Sequence, residues 1–152
     1  MSQPMSGPRP EQESAPKSEE VSTTGPARSP HVLLIDDDSV ILRLLEVNFH
    51  LAGFTTMTSQ RGDDAVERAM ASPPDAIVSD IMMPGIDGYD VCERLRRVPG
   101  METIPFVFLS ARADEGARGR GAGLSDVEFV NKPFDAEDLV ATVRGLIEGA
   151  GA

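Results

Sequence analysis

The chain has 152 residues, 40% of them hydrophobic, and a formal net charge of −11. That length suggests one domain with ample material for a core. The acidity argues against direct binding to a nucleic-acid backbone, which needs a basic face. A single cysteine, Cys92, excludes a disulfide framework. No apolar run is long enough to span a bilayer and no apolar leader opens the chain, so a soluble, cytoplasmic protein without membrane contact is expected.

Residues 1 to 30 hold six of the twelve prolines, many Ser, Gln and Glu, and no aromatic residue. Such a stretch buries too little apolar surface to offset chain entropy and is expected to be a disordered tail. The folded domain is expected over residues 31 to 149, with 150 to 152 a short tail.

Val32-Leu33-Leu34-Ile35 is a continuous apolar run, so a buried first strand is predicted, ending at Asp36-Asp37-Asp38-Ser39. Asp38 or Ser39 can cap the following helix, and Gly53 can close it. Ile41, Leu44, Leu45 and Asn48 are predicted to share one side of that helix, with Val40 and Val47 beside it. His50 in its last turn is a weak ligand candidate. Phe54 to Ser59 reads as a less apolar strand at an edge. Asp63 to Ala71 reads as a short helix carrying Ala65, Val66, Ala69 and Met70, stopped by Pro73-Pro74.

Ala76-Ile77-Val78-Ser79-Asp80 is too short for a helix and is followed by the turn pair Pro84-Gly85, so it reads as a central strand ending in an acid. Asp87 is placed to cap a third helix with Val91, Cys92 and Leu95 facing inward, Cys92 being a small core residue. Pro105 to Leu109 reads as a buried strand ending at Ser110-Ala111. Ala113 to Ala122 is a poor helix candidate. Gly116, Gly119 and Gly121 inside it cost about 1 kcal/mol each relative to alanine, and Gly123 ends it. It is expected to fray and to be ordered by events at Ser110. Val127 to Asn131 reads as a fifth strand ending at Lys132-Pro133. Asp135 can cap a last helix carrying Leu139, Val140, Val143, Leu146 and Ile147.

Five strands alternating with five helices imply an α/β fold with a parallel sheet and helices on both faces. Parallel strands put all carboxyl ends along one edge, the usual ligand edge of an open α/β sheet. That edge gathers Asp36, Asp37, Asp80, Ser110 and Lys132. Clustered carboxylates repel by roughly 1 kcal/mol per pair in water and roughly 4 near a protein surface, so a cation is expected among them. Oxygen ligands alone suit Mg²⁺, and the lack of His or Cys argues against zinc. Residues 31 to 152 contain ten arginines and one lysine, Lys132. A compact ammonium at a strand end acts as a point charge where Arg would impose a planar fork. Carboxylate, divalent cation, hydroxyl and ammonium around one point suit phosphoryl transfer onto the carboxylate.

Four motifs occur in order: Leu34-Ile35-Asp36-Asp37-Asp38-Ser39, Ser79-Asp80-Ile81-Met82-Met83-Pro84-Gly85-Ile86-Asp87-Gly88-Tyr89, Leu109-Ser110-Ala111-Arg112 and Asn131-Lys132-Pro133-Phe134. With these, residues 32 to 148 resemble the receiver domain of bacterial two-component response regulators. The resemblance implies a flavodoxin-like (βα)5 fold with strand order 2-1-3-4-5, which the residues alone leave open. It implies Asp80 as phospho-acceptor, and Asp36, Asp37, Asp80 and the backbone carbonyl of Met82 around Mg²⁺. It also implies Ser110 as the phosphoryl-binding hydroxyl, Lys132 as the pairing ammonium, Phe129 as a switch aromatic, and a cis Lys132-Pro133 bond.

The implied function is phosphoryl acceptance from a sensor histidine kinase or a histidine phosphotransfer protein. The surface of the fourth helix, fifth strand and fifth helix would then switch for an unidentified downstream protein. It would be a stand-alone signalling module rather than an enzyme. Two departures stand out: Ser125-Asp126 where the family has a small Gly-Ala pair, and the glycine-rich fourth helix. The alternative is a receiver-like adaptor that works without phosphorylation. Readings as a flavodoxin or an aspartate-dependent phosphatase on the same fold fail on the residues after the first strand, which lack a glycine-rich phosphate loop and a Gly-Thr pair.

Overall fold

The computed structural model describes residues 28–111, 124 and 126–150. The elements run β1 (His31–Ile35), α1 (Ser39–Leu51), β2 (Thr55–Ser59), α2 (Gly62–Ala71), β3 (Ala76–Asp80), α3 (Gly88–Arg96), β4 (Phe106–Ser110), β5 (Val127–Asn131) and a last helix, here α4 (Ala136–Ala150). The expected glycine-rich helix over 113–122, most of the expected tail, Ser125 and residues 151–152 lie outside the described residues.

All strand pairs are parallel, in the order β2-β1-β3-β4-β5. This is the order expected for a flavodoxin-like receiver fold. Residues in β3 and β4 are buried throughout, as strands covered on both faces must be. Alternation along the strands splits the core in two. Leu33, Ile35, Ile77, Phe106 and Phe108 belong to the half that packs on α2 and α3. Val32, Leu34, Val78, Val107 and Leu109 belong to the half that packs on α1 and α4. The polar strand β2 lies at the sheet edge, as its composition suggested.

Capping follows the sequence closely. The Asp38 carboxylate accepts from Val40 N and Ile41 N. Gly53 ends α1 with φ +93°, a conformation that costs glycine least. Asp87 and Asp90 form a reciprocal capping box on α3. Asp135 accepts from the amides of Glu137 and Asp138 at the start of α4.

One face was misjudged. The buried side of α1 is Leu42, Leu45 and Phe49, not the side centred on Ile41, Leu44, Leu45 and Asn48. Leu44 is 45% exposed, and Val40, Val47 and Leu51 are also exposed. Apolar residues surround this helix, so periodicity could not choose the inner face. Phe49 chooses it, by packing edge-on against Phe54 with ring centroids 5.0 Å apart. In α2, Ala65 and Ala69 are buried, Val66 is half-buried and Met70 is exposed. The inward faces expected for α3 and α4 are observed.

Arg28 and Pro30 are already joined to the folded body. Arg28 makes a two-pronged ion pair with Asp75, with both contacts at 2.9 Å. Pro30 O accepts from Thr55 N at 2.9 Å.

Candidate functional site

The sheet brings Asp36, Asp37 and Asp80 together. Each offers a carboxylate oxygen, and these oxygens lie within 4.8 Å of one another. Asp36 and Asp37 follow β1 and Asp80 ends β3, its immediate neighbour. Asp36 is buried, Asp80 is 7% exposed and Asp37 is exposed, so the cluster opens to solvent on one side.

Lys132, just past β5, reaches over this cluster. Its Nζ stands 3.3 Å from Asp80 Oδ1 and 3.8 Å from Asp36 Oδ2. Its backbone N–H donates to Ser110 O at 2.9 Å, which ties the ends of β4 and β5 together. The Lys132–Pro133 peptide is cis. Ser110 is buried at the end of β4, one position beyond the partner of Asp80 in the register. Phe129 is half-buried on β5 and its ring lies 5.6 Å from that of Phe108. Met82 follows Asp80 by two positions and its side chain is exposed.

One ammonium offsets one of the three carboxylate charges. Asp36 shows the strain of the remainder: its pKa is pushed up to about 6 by burial first, with Asp80 and Asp37 adding to the rise. Its Oδ1 accepts from Asp38 N at 2.9 Å. Its Oδ2 is buried without a hydrogen-bond donor among the described residues. A buried carboxylate oxygen in that condition, facing two further carboxylates, fits a hard divalent cation with oxygen ligands.

Sequence reasoning missed the residues that hold the Asp80 strand end in place. Ser79 Oγ is buried and donates to Asp80 O at 2.8 Å. Gly88 N–H donates to Ile81 O at 2.9 Å, closing the turn after Asp80. A glycine directly behind a helix-capping Asp87 was the available signal. His50 and Cys92 stay outside the site. His50 Nε2 is paired with Thr56 Oγ1 at 2.8 Å, and Cys92 is a buried core thiol.

A strand-edge acid cluster with a reaching lysine on this topology defines a class, and comparison with known proteins agrees. The response regulator receiver domain model matches residues 32–144, so the chain belongs to the response regulator receiver family. It is 35% identical over 121 residues to the phosphate regulon transcriptional regulatory protein PhoB of Rhizobium meliloti, covering 80% of this chain and 53% of that protein. It is 41% identical over 126 residues to the transcriptional regulatory protein PrrA of Mycobacterium leprae, covering 82% of this chain and 52% of that one. The chain thus spans about half the length of these curated relatives. Among solved structures it resembles the receiver domain of sensor histidine kinase PA1611 from Pseudomonas aeruginosa PAO1, with TM-score 0.71 and 26% identity. That match covers 79% of this chain and 98% of the other, whose structure has a magnesium ion coordinated in the active site cleft.

Proposed function

We propose that Asp80 accepts a phosphoryl group from a phosphohistidine on a sensor histidine kinase or a phosphotransfer protein. The observation that carries this reading is the Asp36–Asp37–Asp80 cluster under the Lys132 ammonium. An Asp80 carboxylate oxygen forms a bond to phosphorus as the phosphorus–nitrogen bond breaks, and the electron pair of that bond leaves with the imidazole. Lys132 holds Asp80 at 3.3 Å beforehand and keeps its proton throughout, so it remains a positive charge for the phosphoryl oxygens. The Ser110 hydroxyl donates to one of those oxygens. Asp36, Asp37, Asp80 and the Met82 carbonyl would hold Mg²⁺, which neutralises charge on the transferred group.

A donor protein also has somewhere to lean. Val40, Leu44, Val47 and Leu51 recur at helical spacing along α1, exposed at 73, 45, 42 and 82%. The helix is capped by Asp38, inside the acidic run, so this apolar stripe begins beside the acceptor.

Movement of Ser110 toward the phosphoryl group leaves room for Phe129 to turn inward. The surface carrying β5 and α4 then changes for a downstream protein. The chain acts as a cytoplasmic signalling module rather than a turnover enzyme, with no direct nucleic-acid or membrane contact of its own. An autophosphorylated histidine kinase carrying labelled phosphate tests this. Label passes to the wild type and not to Asp80→Asn; equal labelling of both overturns the assignment of Asp80.

A further inference from the structure

The turn between β3 and α3 is pinned by two contacts that only a residue without a side chain allows. A Cβ on Gly88, the first residue of α3, would stand 2.5 Å from Asp80 O, 3.1 Å from Ser79 Oγ and 3.2 Å from Ile81 Cα. The Asp80 carbonyl is not free to swing away, because it already accepts from Ser79 Oγ at 2.8 Å. The second contact comes from another element. A Cβ on Gly62, the first residue of α2, would stand 2.4 Å from Ile86 Cγ1, 2.7 Å from Ile86 O and 3.0 Å from Val91 Cγ2. Ile86 lies in the turn and Val91 in α3. Neither glycine has a positive φ, so both positions demand space and not a left-handed backbone. Gly145 and Gly149, in α4, have nothing within 4 Å of such a Cβ among the described residues.

We propose that Gly62 and Gly88 are positioning residues for the acceptor. Their missing side chains let α2 and α3 close on residues 81–87, and this closure fixes the Asp80–Ile81 peptide. The inference rests on the reading of Asp80 as phospho-acceptor. Ordinary contact begins near 3.4 Å, so a methyl group on Gly88 must displace the Asp80 carbonyl or the helix by about 0.9 Å, the difference from 2.5 Å. Asp36 and Asp37 follow a different strand, β1, and do not move with it. Misplacement by about 1 Å from a remote change can cost a factor of roughly 100 in a positioned reaction. The effect is therefore on registry between Asp80 and the β1 acids, beyond any loss of fold stability.

The experiment compares Gly62→Ala, Gly88→Ala and Ile86→Ala with two controls in the full chain. Val143→Ala lowers stability from the opposite core, where Val143 is fully buried, and Gly145→Ala adds the same methyl group in open space. The readouts are the Mg²⁺ dissociation constant by NMR titration, the melting temperature, and the rate of phosphoryl uptake from acetyl phosphate at saturating Mg²⁺. The glycine variants are expected to weaken Mg²⁺ binding and slow the saturated rate by about 10- to 100-fold, while both controls leave them unchanged. If Gly88→Ala does not fold, Ile86→Ala decides, because it loosens the turn without inserting an atom and is expected to weaken Mg²⁺ binding severalfold. Unchanged Mg²⁺ affinity in the variants that fold, or an equal change in Val143→Ala, overturns the proposal. A wild type that takes up no phosphoryl group counts against the acceptor reading instead, and the Mg²⁺ affinities still decide the positioning.

Discussion

At the scale of single residues, chemistry and structure divide cleanly between groups aimed at the acid pocket and groups that only hold the body together. Asp75 is of the second kind. Its pair with the Arg28 guanidinium holds its carboxyl below the ordinary value, with the His31 amide as a further donor. A depressed carboxyl stabilises the fold above its unfolded pKa of 3.8 and loses that contribution as pH falls through the lower folded value. Asp75→Asn should therefore cost about 1 kcal/mol at neutral pH, the Arg28 partner being largely exposed, and almost nothing in strong acid. Urea unfolding at the two pH values measures the difference. Cys92 is buried and its thiol is pushed up to about 11 by desolvation, so it should resist thiol reagents in the native state and react only on unfolding. Asp37→Ala should weaken Mg²⁺ binding more than Asp36→Ala, since Asp37 is the solvent-facing acid and Asp36 is held back by burial and by Asp38 N. Metal titration ranks the two, and the reverse order would reassign the direct ligand.

At the scale of elements, α1 carries two apolar faces with separate duties. The inner one, Leu42, Leu45 and Phe49, belongs to the core, and the outer stripe is exposed. Leu44→Glu should lower phosphotransfer from a kinase by roughly tenfold, as a central interface residue does, yet leave uptake from acetyl phosphate unchanged. Equal loss with both donors would place the effect in the pocket and not in docking. The same helix shows where sequence reasoning ends. Strand positions, caps and the acid edge were legible because short apolar runs, Asp caps and turn pairs are local signals. The inner face of α1 was not, because apolar residues ring it and only its packing against Phe54 selects a side. The glycine contacts at 62 and 88 were also illegible, because they join residues that only the tertiary fold brings together. Asp126 occupies a departure from the family pattern and takes φ +57°. The Asp126 carbonyl accepts from Arg96 Nη2 at 3.3 Å. A β-branched residue there should destabilise the chain by about 1–2 kcal/mol, read as a lowered melting temperature, while glycine should be tolerated.

At the scale of the whole molecule, a two-layered core on a five-stranded parallel sheet presents one edge to chemistry and the other to the incoming chain. Arg28, Pro30 and Asp75 gather at the amino-terminal edge of the sheet, opposite the acid pocket. A chain beginning at residue 31 should therefore melt a few degrees below one beginning at residue 28, having lost the Arg28–Asp75 pair and the Pro30–Thr55 hydrogen bond. Both should keep the acid pocket and accept phosphate equally. The strand order was legible only through resemblance to a known family, because no residue pattern states which strands lie side by side. On the proposed function, this sheet edge makes Asp80 a metal-dependent phosphoryl acceptor. Intact-mass spectrometry after incubation with acetyl phosphate tests it most directly, with and without Mg²⁺, on the wild type and Asp80→Asn. One added phosphoryl group is expected on the wild type with Mg²⁺ and on no other sample. Equal uptake by Asp80→Asn, or full uptake by the wild type after Mg²⁺ is chelated, would contradict it.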